Sequence, residues 1–168
     1  MKKPQPQFQP SFFEERTKLL TIVAAIAVIV RGLVLSQYHD SIFWQAVWSD
    51  ASTYNQWAKN IVATGDWIGT RPFFMTPFYP YFLATVYSIF GEDLIAVRLI
   101  QHTTGIGTAL LLFLISEKLF NRKVAFISAL LAAVYGPFVL YGNLLLVETL
   151  KVFFVTLYIR IIPSGVEG

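Results

Sequence analysis

Across 168 residues, 55% of the side chains are apolar and 16% aromatic. Only 14% are charged, against about a quarter in soluble domains. That balance excludes an ordinary water-soluble enzyme, and charge-free stretches of membrane length between short charged clusters make the bilayer the relevant solvent. The absence of cysteine excludes disulfides and thiolate metal sites, and the net charge of +3 matters only through the loops that carry it.

Residues 1–18 read as a cytoplasmic tail, because residues 1–11 combine prolines, glutamines and lysines with too little apolar surface to bury. Arg16 and Lys18 flank a first span over about 19–36. A secretory signal has a similar basic and apolar order, but no small-x-small cleavage pattern follows Leu35, so the segment reads as an uncleaved anchor with its N-terminus inside. Arg31, near the far end of this span, is either a guanidinium that snorkels to the interface or a contact for an anion.

The chain from 37 to 71 is polar and aromatic, with Asp40, Asp50 and Asp66 against Lys59 and Arg71, and belongs on the outer face. Within it Asp50, Tyr54, Trp57, Ala58, Ile61 and Val62 recur at three- and four-residue spacing and predict an amphipathic juxtamembrane helix. This helix is expected to lie along the membrane surface, with Trp44, Trp48, Trp57 and Trp67 at headgroup level and Gly65 as its stop. Residues 72–91 are uncharged, but Pro72, Pro77 and Pro80 interrupt them, so the segment is a surface piece, a re-entrant piece or an additional span.

Further spans are expected over 99–116 and 124–147, the latter broken by Gly136-Pro137, followed by an incomplete span over 149–162 and a truncated end over 163–168. The loop between the first two carries Lys118, Arg122 and Lys123 and is therefore cytoplasmic. The charge rule favours a topology in which 72–91 does not cross. Asp50, Arg98 and Glu148 then all reach the outer membrane face. The fold class is an all-α, polytopic helical membrane protein.

Four residues can carry chemistry or recognition at that face. Asp50 reads as the N-cap of its helix or as a general base, and Glu148, at a junction between spans, as a partner of Lys151 or a functional carboxylate. Arg98 is a snorkelling anchor or a phosphate clamp, since a guanidinium fork fits phosphate oxygens. His102 reads as a packed, hydrogen-bonded residue. No Gly-rich phosphate loop, His-Glu-x-x-His, Gly-x-Ser-x-Gly or basic nucleic-acid stripe is present in the sequence.

The order of several short elements carries a resemblance: Ser49-Asp50-Ala51-Ser52-Thr53-Tyr54, Thr76-Pro77-Phe78-Tyr79-Pro80-Tyr81, Ala96-Val97-Arg98-Leu99, Lys118-Leu119-Phe120, and the run from Tyr141 to Glu148. Together they resemble the N-terminal part of the GT-C superfamily of membrane glycosyltransferases, in the branch of protein O-mannosyltransferases and the lipid A aminoarabinose transferase. The resemblance implies inverting transfer of a sugar from a polyprenyl-phosphate donor to an acceptor at the outer face of the plasma or inner membrane. It implies catalytic roles for Asp50 and Glu148 and substrate contacts for Arg98 and Tyr54. A divalent metal is compatible with two carboxylates but not demanded by them. Membrane lipids and the lipid-linked donor are the implied partners, and no nucleic acid is. The short chain is expected to be an N-terminal fragment, inactive alone. The alternative is a non-enzymatic helical membrane subunit or a lipid carrier.

Overall fold

A computed structural model describes residues 12–45, 47–68 and 75–162, and among these every regular element is helical. The helices are α1 (Phe12–His39), α2 (Ser49–Thr64), α3 (Phe78–Phe90), α4 (Leu94–Leu119), α5 (Arg122–Val134), α6 (Gly136–Leu140) and α7 (Glu148–Ile161). The tail over 1–11, Arg71, Pro72 and the end over 163–168 lie outside the described residues.

Among the described residues two helices are long and apolar enough to cross a membrane: residues Glu14–His39 of α1, and α4. At 1.5 Å per residue, the 28 residues of α1 and the 26 of α4 each reach roughly 40 Å, beyond the ~30 Å hydrocarbon core. Both extend past the boundaries expected from hydropathy. Glu14 and Glu15 suit the first turn of α1, where the helix dipole is positive, and Asp93 caps α4 by accepting from the Ile95 N–H at 2.8 Å.

The stretch over 124–147 does not continue as one helix. Asn121 caps α5 by accepting from Val124 N–H, and α5 stops after 13 residues at Val134, because Pro137 lacks an N–H and starts α6 instead. A turn over 141–147 then leads into α7. The 13 residues of α3 reach only about 20 Å, with Pro77 before the first turn and Pro80 inside it, where a missing N–H costs no helical bond.

Small residues set the packing of the long helices. Val23 and Ala27 of α1, Ala109 of α4 and Ala125, Ala129 and Ala133 of α5 are fully buried around Phe113. Such side chains let helix backbones approach closely where hydrocarbon surrounds them. At one end Arg16 meets Glu117 at 2.9 Å, while Arg122 meets Glu15 at 2.9 Å and Glu117 at 3.2 Å, tying the start of α1 to the turn between α4 and α5.

The second core joins α2 and α3. Tyr54, Ala58 and Ile61 are buried against Tyr79, Leu83, Val86 and Tyr87. Gly65 ends α2 at φ 70°, its N–H returning to Ile61 O at 2.8 Å, as expected. The apolar face of α2 is covered by α3, however, and not left for lipid. Val62 is exposed, as is Trp48. Tyr87 donates to Asn55 Oδ1 at 2.7 Å, and burial pushes its phenol up to about 12, keeping it a donor at neutral pH.

A row of polar side chains on α4 holds the turn after α6. Arg98 Nε donates to Asn143 O at 3.0 Å, and Gln101 Nε2 donates to Gly142 O at 3.1 Å and Leu144 O at 2.8 Å. His102 Nε2 lies 3.2 Å from Asn143 Oδ1, and Tyr79 donates its hydroxyl to Gln101 Oε1. A Cβ on Gly142 would stand 2.7 Å from His102 Nδ1, so the close approach requires glycine. Gln101→Leu strands the Gly142 carbonyl and the Tyr79 hydroxyl, each costing roughly 1–3 kcal/mol when buried unpaired, while Leu144 O keeps the Leu146 N–H. The variant is expected to lose about 3 kcal/mol or more in detergent unfolding, while Thr103→Val, on the exposed side of α4, changes stability by under about 0.5 kcal/mol. Equal stabilities would remove this contact from the account.

Candidate functional site

Two cavities flank the 141–147 turn. The first, of about 450 Å³, lies between the end of α1, the start of α2, Arg98 and the turn, and both Asp50 and Arg98 line it. Asp50 is not the cap of α2. The capping position is Trp48, whose side chain makes no cap bond, and Asp50 sits in the first turn, exposed, where the free N–H groups and helix dipole favour a carboxylate. Ser49 delivers it at φ 51°, a left-handed conformation that costs a non-glycine residue roughly 1–2 kcal/mol. Ser49 Oγ is 3.4 Å from Asp50 Oδ1, a weak contact that leaves the carboxylate open to the cavity.

Arg98 is no snorkelling anchor. It is 1% exposed and drawn inward by Asn143 O and by Trp44 O, which accepts from Nη2 at 2.7 Å. Its Cζ stands 3.9 Å from the centroid of the Trp44 ring and 5.2 Å from that of Tyr38, so aromatic faces share its charge. Buried Nη1 has no hydrogen-bond partner among the described residues. No ion pair joins Asp50 and Arg98 among the described residues. One wall of the cavity thus offers an acceptor of protons and another an unfilled donor for anionic oxygen.

The second cavity, of about 300 Å³, is lined by Arg31, Gly105, Glu148 and Thr149 with aromatic residues of α6 and its flanks. Tyr38 and Arg31 are two turns apart on α1, and Arg98 and Gly105 two turns apart on α4, so this cavity lies about 10 Å further along the same seam. The structure therefore brings Asp50 and Arg98 together and places Glu148 elsewhere. Glu148 makes no ion pair with Lys151 among the described residues. Tyr54 lines neither cavity. It is 5% exposed, with its ring 5.1 Å from that of Tyr79. His102 is packed and hydrogen-bonded as expected.

Arg31 is also buried, at 2% exposure, with Nη1 donating to Ala133 O at 3.0 Å, so it does not snorkel. Sequence reading missed Gln101 and Asn143, which position the wall between the cavities. For Gln101 the signal was polarity at 98, 101, 102 and 108 along one side of α4, and Asn143 had no comparable periodic signal. Among the described residues no three His, Asp or Glu side chains come together as a metal site, and the two carboxylates considered for a shared cation line different cavities.

Residues 71–167 match the family described as dolichyl-phosphate-mannose-protein mannosyltransferase. The matched stretch takes in α3 to α7, with Arg98 and Glu148, and leaves out α1 and α2, with Arg31, Asp50 and Tyr54. No curated protein and no solved structure matches the chain. With two helices of membrane length, the match points to a membrane protein of glycosyltransferase-like function.

Proposed function

Because the chain belongs to the dolichyl-phosphate-mannose-protein mannosyltransferase family, a GT-C type family that uses a dolichyl-phosphate sugar donor, we propose that its Asp50–Arg98 cavity forms part of a site for sugar transfer from a polyprenyl-phosphate donor to a hydroxyl acceptor. The observation that carries this reading is the pairing, in one cavity, of an open carboxylate with a buried guanidinium whose Nη1 is unfilled. In the proposed step Asp50 takes the proton of the acceptor hydroxyl, whose oxygen attacks the anomeric carbon from the face opposite the phosphate. The bond from that carbon to the phosphate oxygen breaks, its electron pair leaves with the lipid phosphate, and the sugar is inverted. Arg98 donates from Nη1 to the developing phosphate charge, its guanidinium lying beside the faces of Trp44 and Tyr38.

Since Glu148 lines the other cavity, the reading assigns the base to Asp50 alone. Tyr54 supports α2 through its packing on Tyr79 and does not touch substrate in this arrangement. The site faces the outer side of the membrane, with the N-terminus and the 118–123 loop inside. Ion pairs between Arg16 and Glu117 and between Arg122 and Glu15 support placing those two segments on one side, in line with the three cations of the loop.

Asp50→Asn keeps the size of the side chain and removes the base. In membranes carrying the chain, transfer from a polyprenyl-phosphate mannose to a hydroxyl-bearing peptide is expected to fall by roughly 10²–10⁴-fold, with expression unchanged. Wild-type turnover in this variant would remove Asp50 from the reaction. The comparison needs transfer by the unmodified chain, since a fragment inactive alone, a helical subunit and a lipid carrier would each give none. Orientation is tested separately: Ser52→Cys, in this cysteine-free chain, should react with an impermeant thiol reagent in intact cells and Asn121→Cys should not. Labelling at 121 alone would invert the topology.

A further inference from the structure

The Arg31–Glu148 cavity has no part in the proposed transfer, yet it is built like a site. Arg31 Nη1 is fixed on Ala133 O, which sets the guanidinium plane, and the opposite edge, Nε and Nη2, is buried with no hydrogen-bond partner among the described residues. These two N–H groups form the side-on fork that matches two oxygens of one phosphate. A Cβ on Gly105 would lie 3.0 Å from both nitrogens, so a side chain at this position would crowd the fork. Thr149 Oγ1 and Glu148 Oε2, in the same cavity, are likewise buried and unpartnered.

The charges select the ligand further. A guanidinium and a carboxylate line one cavity without pairing within 4 Å, so an occupant must satisfy both signs. Buried between membrane-length helices, a neutral pair of charges receives a net-neutral ligand at the lowest desolvation cost. Tyr135, Phe138 and Tyr141 add aromatic faces, which attract ammonium groups.

We propose that this cavity binds the headgroup of an ethanolamine phospholipid, with the phosphate on the Arg31 Nε–Nη2 edge and the Thr149 hydroxyl and the ammonium on Glu148 Oε2. A choline headgroup keeps the charges but has no N–H to donate to Glu148, and a glycerol headgroup has no cation. The ligand arrives from the bilayer, because α1 and α4, which carry Arg31 and Gly105, are the two helices of membrane length.

Native mass spectrometry of the purified chain, titrated with short-chain phosphatidylethanolamine, phosphatidylcholine and phosphatidylglycerol in detergent, tests this without any sugar donor, so its outcome is independent of the transferase reading. The ethanolamine lipid is expected to bind roughly tenfold tighter than the other two, about the weight of one charge-assisted hydrogen bond. Glu148→Gln should abolish that preference while retaining lipid binding. Gly105→Ala and Thr149→Val, whose folding is checked by unchanged unfolding midpoints in lipid-free detergent, should weaken all three lipids. Free phosphoethanolamine should not compete at millimolar concentration. Equal binding of the three lipids, or an ethanolamine preference that survives Glu148→Gln, would overturn the proposal. Full competition by free phosphoethanolamine would overturn the lipid as the source.

Discussion

The grip of α4 on the backbone of the 142–144 turn is the contact on which the arrangement depends. A turn packed among apolar helices carries carbonyl groups that no helix satisfies, and water is scarce there. A membrane-length helix bearing arginine and glutamine has the converse problem, since those side chains are costly in hydrocarbon. Here each solves the other: Gln101 donates to the carbonyls of Gly142 and Leu144, and Arg98 to that of Asn143. Tyr79 extends the network to α3, and so to the core that supports α2.

Holding the turn at this height divides the space beside α1 and α4. Asn143 and Leu144 face one cavity and Tyr141 the other. Each cavity receives one guanidinium and one carboxylate, yet the pairs differ in kind. Asp50 is exposed on the first turn of a helix delivered by a strained residue, and such placement suits a group that must meet a changing acceptor. Glu148 turns one buried oxygen, Oε2, into the cavity of Arg31, whose guanidinium plane is fixed, and such an arrangement suits a ligand that stays. One helix face thus serves two sites, because the same two-turn repeat sets Arg98 at one and Gly105 at the other.

Local signals in the sequence were readable where local chemistry decides. The three- and four-residue spacing from Asp50 to Ile61 marks α2, Gly65 ends it, and Gly136-Pro137 breaks the last long apolar run. What could not be read depends on distant partners. Arg31 and Arg98 sit near expected span ends and so invite a snorkelling assignment, yet their acceptors, Ala133 O and Asn143 O, are 102 and 45 residues away. The face of α2 suits lipid and α3 equally well, and only the fold decides between them. Asp50 has the chemistry of a cap, but the helix begins two residues earlier than that role needs. Glu148 was grouped with Asp50 because the charge rule brings both to the outer face and the family resemblance assigns both catalytic roles, and the length of the 141–147 turn, which sets its depth, carries no hydrophobic period.

The central claim is that the gripped turn keeps Asp50 and Glu148 in separate cavities while holding Gly142 against His102. Disulfide trapping in native membranes tests it directly, because the chain has no cysteine of its own and a bridge needs Cβ atoms about 3.5–4.5 Å apart. The pair Asp50→Cys with Glu148→Cys, which line different cavities, should stay reduced under mild oxidation. Efficient bridging of 50 to 148 would contradict the account.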